Sequence, residues 1–177
     1  LVIPSTMLTR LLYHRNFSPE YFQALRILRY CLEPLPMETL MQTQALLPDV
    51  QLFSDYGLTE AVGTIAILGP DEHRSAQAHY LPSSGVFLPG VEAKVVDRHG
   101  ESVASNTVGE LAIHTPWQFI GYLGQPPSGY WLFTGDLVWI DGAGRFNLSG
   151  FHTQYLPAIP KNDSGKTLYR ELEKYHV

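Results

Sequence analysis

One cysteine, Cys31, occurs in 177 residues. A lone thiol closes no intrachain disulfide and builds no multi-thiolate zinc site, which excludes a stapled secreted scaffold and a zinc ribbon and fits a reducing compartment. Charge is scarce too, at 16% of residues, and basic charge is the scarcer sign: 12 Lys and Arg stand against 17 Asp and Glu, for a net charge of −5. No basic excess is available to neutralise a phosphate backbone, so no nucleic-acid partner is expected. No apolar run is long enough to cross a bilayer and the N-terminus lacks the layout of a secretory signal, so no membrane span is expected and the expected location is cytoplasmic. There is no internal repeat, and none of the seven histidines stands in a metal-ligand spacing. What is present is 45% hydrophobic and 12% aromatic, the makeup of a packed globular domain.

The chain opens on Leu1-Val2-Ile3, a buried-strand pattern with no polar lead-in, and is expected to be a piece of a longer protein. Pro4 and Ser5 can start a helix with Met7, Leu8, Leu11 and Leu12 on one face. A second helix is expected after Ser18-Pro19-Glu20, then a strand over residues 25–32 that Pro34 and Pro36 end. Leu35, Leu40, Met41 and Leu47 suit one face of a third helix, and residues 50–53 read as a short strand. This β-α-α-β-α-β order predicts an α/β layered sheet of mainly parallel strands, with ligand sites beyond their carboxyl ends. From about Gly69 the texture becomes β-rich, with strand-like runs at 91–97, 108–113, 136–140 and 146–148. Asp141-Gly142-Ala143-Gly144 predicts a hairpin turn and Arg98-His99-Gly100 a weaker one. Residues 156–164 read as a proline-bearing loop and 166–175 as a short helix.

Ser54-Asp55-Tyr56-Gly57-Leu58-Thr59-Glu60 is the segment richest in chemistry, because it places an aromatic, a glycine, a hydroxyl and a carboxylate at the end of an apolar strand. Gly57 would admit a ligand close to backbone, Thr59 could bond a phosphate oxygen, and Glu60 could hold a magnesium ion, which takes hard oxygen ligands. Tyr56 offers a face for a base. From spacing alone, a strand-to-helix turn with Thr59 as cap and Glu60 in the first turn explains the same residues equally well.

Tyr56-Gly57-Leu58-Thr59-Glu60 resembles the Tyr-Gly-x-Thr-Glu motif of the adenylate-forming superfamily, which includes acyl-CoA synthetases, peptide-synthetase adenylation domains and luciferases. Other segments resemble the family in the same order: residues 25–36, Pro89-Gly90-Val91-Glu92, Gly109-Glu110-Leu111, Gly121-Tyr122 and Phe133-Thr134-Gly135-Asp136. Pro160-Lys161-Asn162-Asp163-Ser164-Gly165-Lys166 is similar to the C-terminal Pro-Lys-x-x-x-Gly-Lys segment. Leu58, where peptide-synthetase domains usually carry Pro, tilts the resemblance towards acid–CoA ligases. A phosphate-loop reading of Gly165-Lys166-Thr167 fails because Pro160 stands where that motif needs glycine.

The resemblance implies a reaction in which ATP activates a carboxylic acid to an acyl-adenylate, with coenzyme A as the following co-substrate. It implies that Asp136 accepts both ribose hydroxyls, a task suited to a carboxylate with two acceptor oxygens and no donor. Glu33 and Pro34 would line the adenine with Tyr56 and Gly57, Thr59 and Glu60 would serve the phosphates and Mg²⁺, and Lys166 would place positive charge where carboxylate and α-phosphate meet. Each also has a plainer reading: Asp136 as a strand-edge carboxylate, Lys166 as a surface lysine on a short helix. Val62 and Gly63 are the candidates for lining an acyl pocket.

The sequence also departs from the pattern. Cys31 and Leu32 stand where the family usually has glycines, and Phe151 where it usually has Arg. Nothing before Tyr56 resembles the Ser/Thr/Gly-rich loop over the β- and γ-phosphates. Nine residues lie between Gly150 and Pro160, against at least ~50 for an independent mobile domain. The expected organisation is an α/β core segment over 1–68, a β-rich subdomain over 69–150 and a remnant of the C-terminal lid over 151–177. Catalysis by this chain alone is not expected. A nucleotide-binding pseudoenzyme or regulatory module, and a truncated product needing another chain to cover its cut sheet edge, are the alternatives.

Overall fold

The computed structural model describes residues 1–74 and 83–151. They form a nine-stranded mixed sheet in the order β1-β2-β3-β4-β5-β9-β8-β7-β6. Strands β1 (Val2–Pro4), β2 (Ile27–Cys31) and β3 (Gln51–Leu58) are parallel, joined through helices α1 (Ser5–Leu12) and α2 (Met37–Leu46). Strands β4 (Gly63–Leu68), β5 (Ser83–Phe87), β6 (Glu92–Val96), β7 (Gly109–His114), β8 (Leu132–Ile140) and β9 (Phe146–Phe151) pair antiparallel. A short helix, α3 (Pro70–Arg74), follows β4. This is the predicted α/β layered sheet followed by antiparallel strands. Among the described residues no helix is long and apolar enough to cross a membrane.

Two hydrophobic cores lie along the sheet. Ile3, Leu8, Leu12, Leu28, Leu40 and Leu52 join α1 and α2 to the parallel strands. Ala61, Ile65, Leu111, Ile113, Val138 and Phe146 form the second core from β4 onward. Period-two alternation explains the first: Leu28 and Tyr30 are buried while Ile27 on the other face is exposed.

Several local expectations are corrected. Ser18-Pro19-Glu20 starts only one 3-10 turn, Pro19–Phe22, because β2 begins at Ile27 and leaves too few residues for a longer helix. The strand expected over 25–32 is Ile27–Cys31, since Leu32 turns to φ +75°. Met7 and Met41 are 56% and 63% exposed, and their expected core places go to Ser5, Thr39 and Thr43, which are small enough to sit under the helices. Thr43 satisfies its hydroxyl by donating to the Thr39 carbonyl at 2.7 Å. The strand expected over 50–53 runs on to Leu58 because β4 pairs back onto it. Neither β4 nor β5 was expected, yet β5 links the halves by pairing with β4 on one side and β9 on the other.

Both predicted turns form. Asp141 Oδ1 accepts from the N–H groups of Ala143 and Arg145 at 2.9 Å each, and Gly144 takes φ +79° between β8 and β9. Asp97 Oδ1 accepts from His99 and Glu101 at 2.8 and 3.1 Å, and Gly100 takes φ +81°. The loop expected over 156–164 and the helix over 166–175 lie outside the described residues.

Candidate functional site

A cleft of about 380 Å³ opens past the carboxyl ends of β2 and β3 and reaches β8. Glu33, Pro34, Tyr56, Gly57 and Asp136 line it together, so five of the residues singled out in the sequence share one cavity.

Tyr56 and Asp136 are joined directly. The Tyr56 hydroxyl donates to Asp136 Oδ2, leaving Oδ1 without a partner among the described residues. The Tyr56 ring meets Phe146 edge-on at 4.6 Å, and Phe146, wholly buried, stacks on Phe87 at 5.1 Å. An aromatic cluster of this kind fixes the ring direction, and with it the place of the hydroxyl. Asp136 is held from its own side. Its N–H donates to Thr134 Oγ1 at 3.2 Å, the Thr134 hydroxyl donates to the Leu111 carbonyl at 3.0 Å, and the N–H of Gly135 donates to Glu110 Oε1 at 3.1 Å. The Gly109-Glu110-Leu111 and Thr134-Gly135-Asp136 segments therefore brace one another. Gly135 takes φ +76°, which only glycine adopts at little cost. Burial raises the Asp136 pKa above its ordinary 3.8, and the Tyr56 hydrogen bond opposes the rise without cancelling it. Burial and the neighbouring carboxylate push the Tyr56 phenol well above its ordinary 10.0, so it is a donor at neutral pH.

Gly57 has a structural reason as well. A Cβ there would stand 2.1 Å from the carbonyl oxygen of Gly63, in β4. Thr59 and Glu60 lie beside the cleft and do not line it. They form a 3-10 turn, Thr59–Ala61, between β3 and β4. Thr59 is exposed; Glu60 accepts from the Tyr122 hydroxyl through Oε1 at 2.5 Å, and its carbonyl accepts from Phe119 at 2.8 Å. The helix start considered in the sequence is thus a single turn leading into a strand. Glu60 Oε2 has no partner among the described residues, and no three acidic, His or Cys side chains cluster there as a metal cage. One carboxylate fits Mg²⁺, which is commonly held by one or two carboxylates together with substrate phosphates. Val62, at φ +58° and 71% exposed, follows that turn and does not line the cleft. Lys166 lies outside the described residues.

Several cleft residues carried no sequence signal. Ser83 and Ser84 reach it from the unexpected β5, and Asp55, given no role within the segment 54–60, lines it from β3. Asp55 pairs with Arg29 at 2.8 Å while its Oδ1 is buried without a partner. Phe146 could have been suspected only as a core aromatic.

The profile of the family described as "AMP-binding enzyme" matches residues 1–123. The chain belongs to that family. Among curated members, "4-coumarate--CoA ligase-like 6" of Oryza sativa subsp. japonica is 36% identical over 120 residues, 63% of this chain and 19% of that protein. "Fatty acid--[acyl-carrier-protein] ligase ScoC" of Streptomyces coeruleorubidus is 30% identical over 149 residues, 81% of this chain and 28% of that protein. The AMP-binding fold is shared with the solved amide bond synthetase McbA of Marinactinospora thermotolerans: TM-score 0.75, 28% identity, 86% of this chain and 31% of that one. The adenylate-forming, acyl-CoA-ligase-like resemblance read from the motifs is thereby shown. The chain spans between 19% and 28% of the length of the first curated AMP-binding relatives it matches.

Proposed function

We propose that the cleft is an adenine-nucleotide site, and that the protein takes part in ATP-dependent activation of a carboxylic acid to an acyl-adenylate, followed by transfer to coenzyme A. The observation that carries this reading is the Tyr56–Asp136 contact inside a cavity also lined by Glu33, Pro34 and Gly57. A ribose has two adjacent hydroxyl donors, and Asp136 offers an open Oδ1 beside an Oδ2 whose direction Tyr56 sets. Tyr56, Glu33, Pro34 and Gly57 hold the nucleoside, and Thr59 and Glu60 lie on the side from which the phosphates emerge. Glu60 would hold Mg²⁺, whose charge offsets that of the phosphates as they separate. Lys166 is assigned to the reacting carboxylate and α-phosphate. We further read 1–68, 69–150 and 151–177 as α/β core segment, β-rich subdomain and lid remnant of a cytoplasmic enzyme, with another chain covering the free edge at β1.

The test uses the purified 177-residue chain. AMP binds in a calorimetric titration, and Asp136→Ala removes the binding while the circular dichroism spectrum is unchanged. Acid-dependent exchange of labelled pyrophosphate into ATP, abolished by Lys166→Ala and by Glu60→Ala, would show catalysis by this chain. Binding without exchange assigns it nucleotide recognition alone, and no AMP binding refutes the nucleotide site.

A further inference from the structure

Leu32 holds a backbone conformation that its residue type disfavours, with φ +75° just beyond the end of β2. For an L-residue with a branched side chain this costs about 1 kcal/mol. Packing among the described residues does not compensate, because Leu32 is 75% exposed. It lines the same cleft as Tyr56 and Asp136.

The conformation is imposed from behind. Ser5, buried at the start of α1, directs its hydroxyl to the carbonyl of Cys31 at 3.3 Å and to that of Glu33 at 2.5 Å, the residues on either side of Leu32. The parallel register, with Pro4 opposite Cys31, is what delivers Ser5 to that turn. A buried clamp thus holds a strained backbone so that a large apolar side chain stands in the cleft. Both features are unfavourable in the free chain, and both concentrate where a ligand would sit.

We propose that Leu32 is a specificity-determining residue: its isobutyl group packs against the face of the bound purine and limits the size of base admitted, and Ser5 is the positioning residue that sets it there. The inference rests on the nucleotide reading above, since a ribose held at Asp136 carries its base into the same cleft. Loss of the isobutyl contact weakens AMP, and the space left admits a larger base.

The experiment compares AMP with N6-benzyl-AMP on the full chain, wild type and variants, by calorimetry, with thermal unfolding recorded in parallel. Leu32→Gly is expected to bind AMP about tenfold more weakly and N6-benzyl-AMP more tightly than wild type, reversing the preference, while its unfolding midpoint does not fall. Leu32→Ala, which retains the backbone penalty, should show the same change of preference with a midpoint near that of wild type and below that of Leu32→Gly. Ser5→Ala should move the preference in the same direction with the leucine intact, a result that a purely structural role would not produce. An unchanged ratio of the two affinities in Leu32→Gly overturns the assignment of Leu32 and leaves the nucleotide site standing. Failure of wild type to bind AMP overturns both.

Discussion

The Tyr56 hydroxyl and the Asp136 carboxylate meet across 80 positions of sequence, one from β3 and the other from β8. Neither strand pairs with the other; β4, β5 and β9 lie between them in the sheet. The two strands nonetheless contribute to one cleft, where Phe146 supports the tyrosine ring.

Tyr56→Phe removes a donor from a half-buried carboxylate. A hydrogen bond to a charged group contributes about 1.5–3 kcal/mol when well sheltered, and solvent at the cleft reduces this to about 1 kcal/mol, to be read from urea unfolding. The variant also changes a pH profile. Burial already raises the Asp136 pKa above 3.8, so AMP affinity should decline on acidification at a pH higher than a free carboxylate would set. Removing the Tyr56 bond, which opposes that rise, should shift the decline to still higher pH in titrations across the acidic range.

Gly57→Ala should separate β3 from β4. Its Cβ would lie 2.1 Å from a backbone oxygen of Gly63, a position that cannot yield without breaking the pairing. The expected loss is about 3 kcal/mol. Gly100→Ala, where nothing stands within 4 Å but φ is +81°, should cost only about 1 kcal/mol. Equal losses in the two variants would refute the packing argument.

Arg29 directs both Nε and Nη2 to Asp55 Oδ2 at 2.8 Å, and the Asp55 side chain is only 6% exposed. Arg29→Met therefore leaves a buried carboxylate unpaired, at a cost of about 3 kcal/mol. Asp55→Asn in the same chain should recover part of it, because the neutral amide tolerates burial better. A double variant no more stable than Arg29→Met would contradict this.

His73 is buried between two partners whose chemistry settles its tautomer. The Gly69 carbonyl, at 2.6 Å, can only accept, so Nδ1 carries the proton; Nε2 then accepts from the Tyr30 hydroxyl at 2.8 Å. Burial lowers the His73 pKa below its ordinary 6.5 and pushes Tyr30 up to about 12, which keeps the phenol a donor. A lowered folded-state pKa means the unfolded chain binds the proton first. Stability is then full above 6.5 and declines as pH falls from there towards the folded-state value, levelling once both states are protonated. His73→Gln should flatten that part of the stability profile measured by thermal unfolding.

Legibility differed from one segment to the next. Leu8, Leu12, Leu28 and Leu40 were readable as core because apolar spacing reports one buried face directly. Met7 and Met41 carried the same signal and proved exposed, since spacing alone does not say where the buried stripe ends. Strand β4 was hidden behind the Thr59-Glu60 turn, which reads equally as a helix start. The positive φ of Leu32 was invisible, because leucine is not a residue that announces it.

Local order was therefore settled by the sequence itself: the alternation of strand and helix up to β3, the β-rich remainder, the two Asp-led turns, and the succession of segments by which the AMP-binding family is recognised. These depend on neighbours a few positions apart, and so are written in spacing and turn chemistry. Only the tertiary structure decided which of those segments meet. Placing β9 between β5 and β8 is a choice among strand orders that share the same local patterns, made by the packing of Phe146, Ile65 and Val138 into one core. That choice brings Asp136 to Tyr56, and the register of β1 on β2 brings Ser5 behind Leu32.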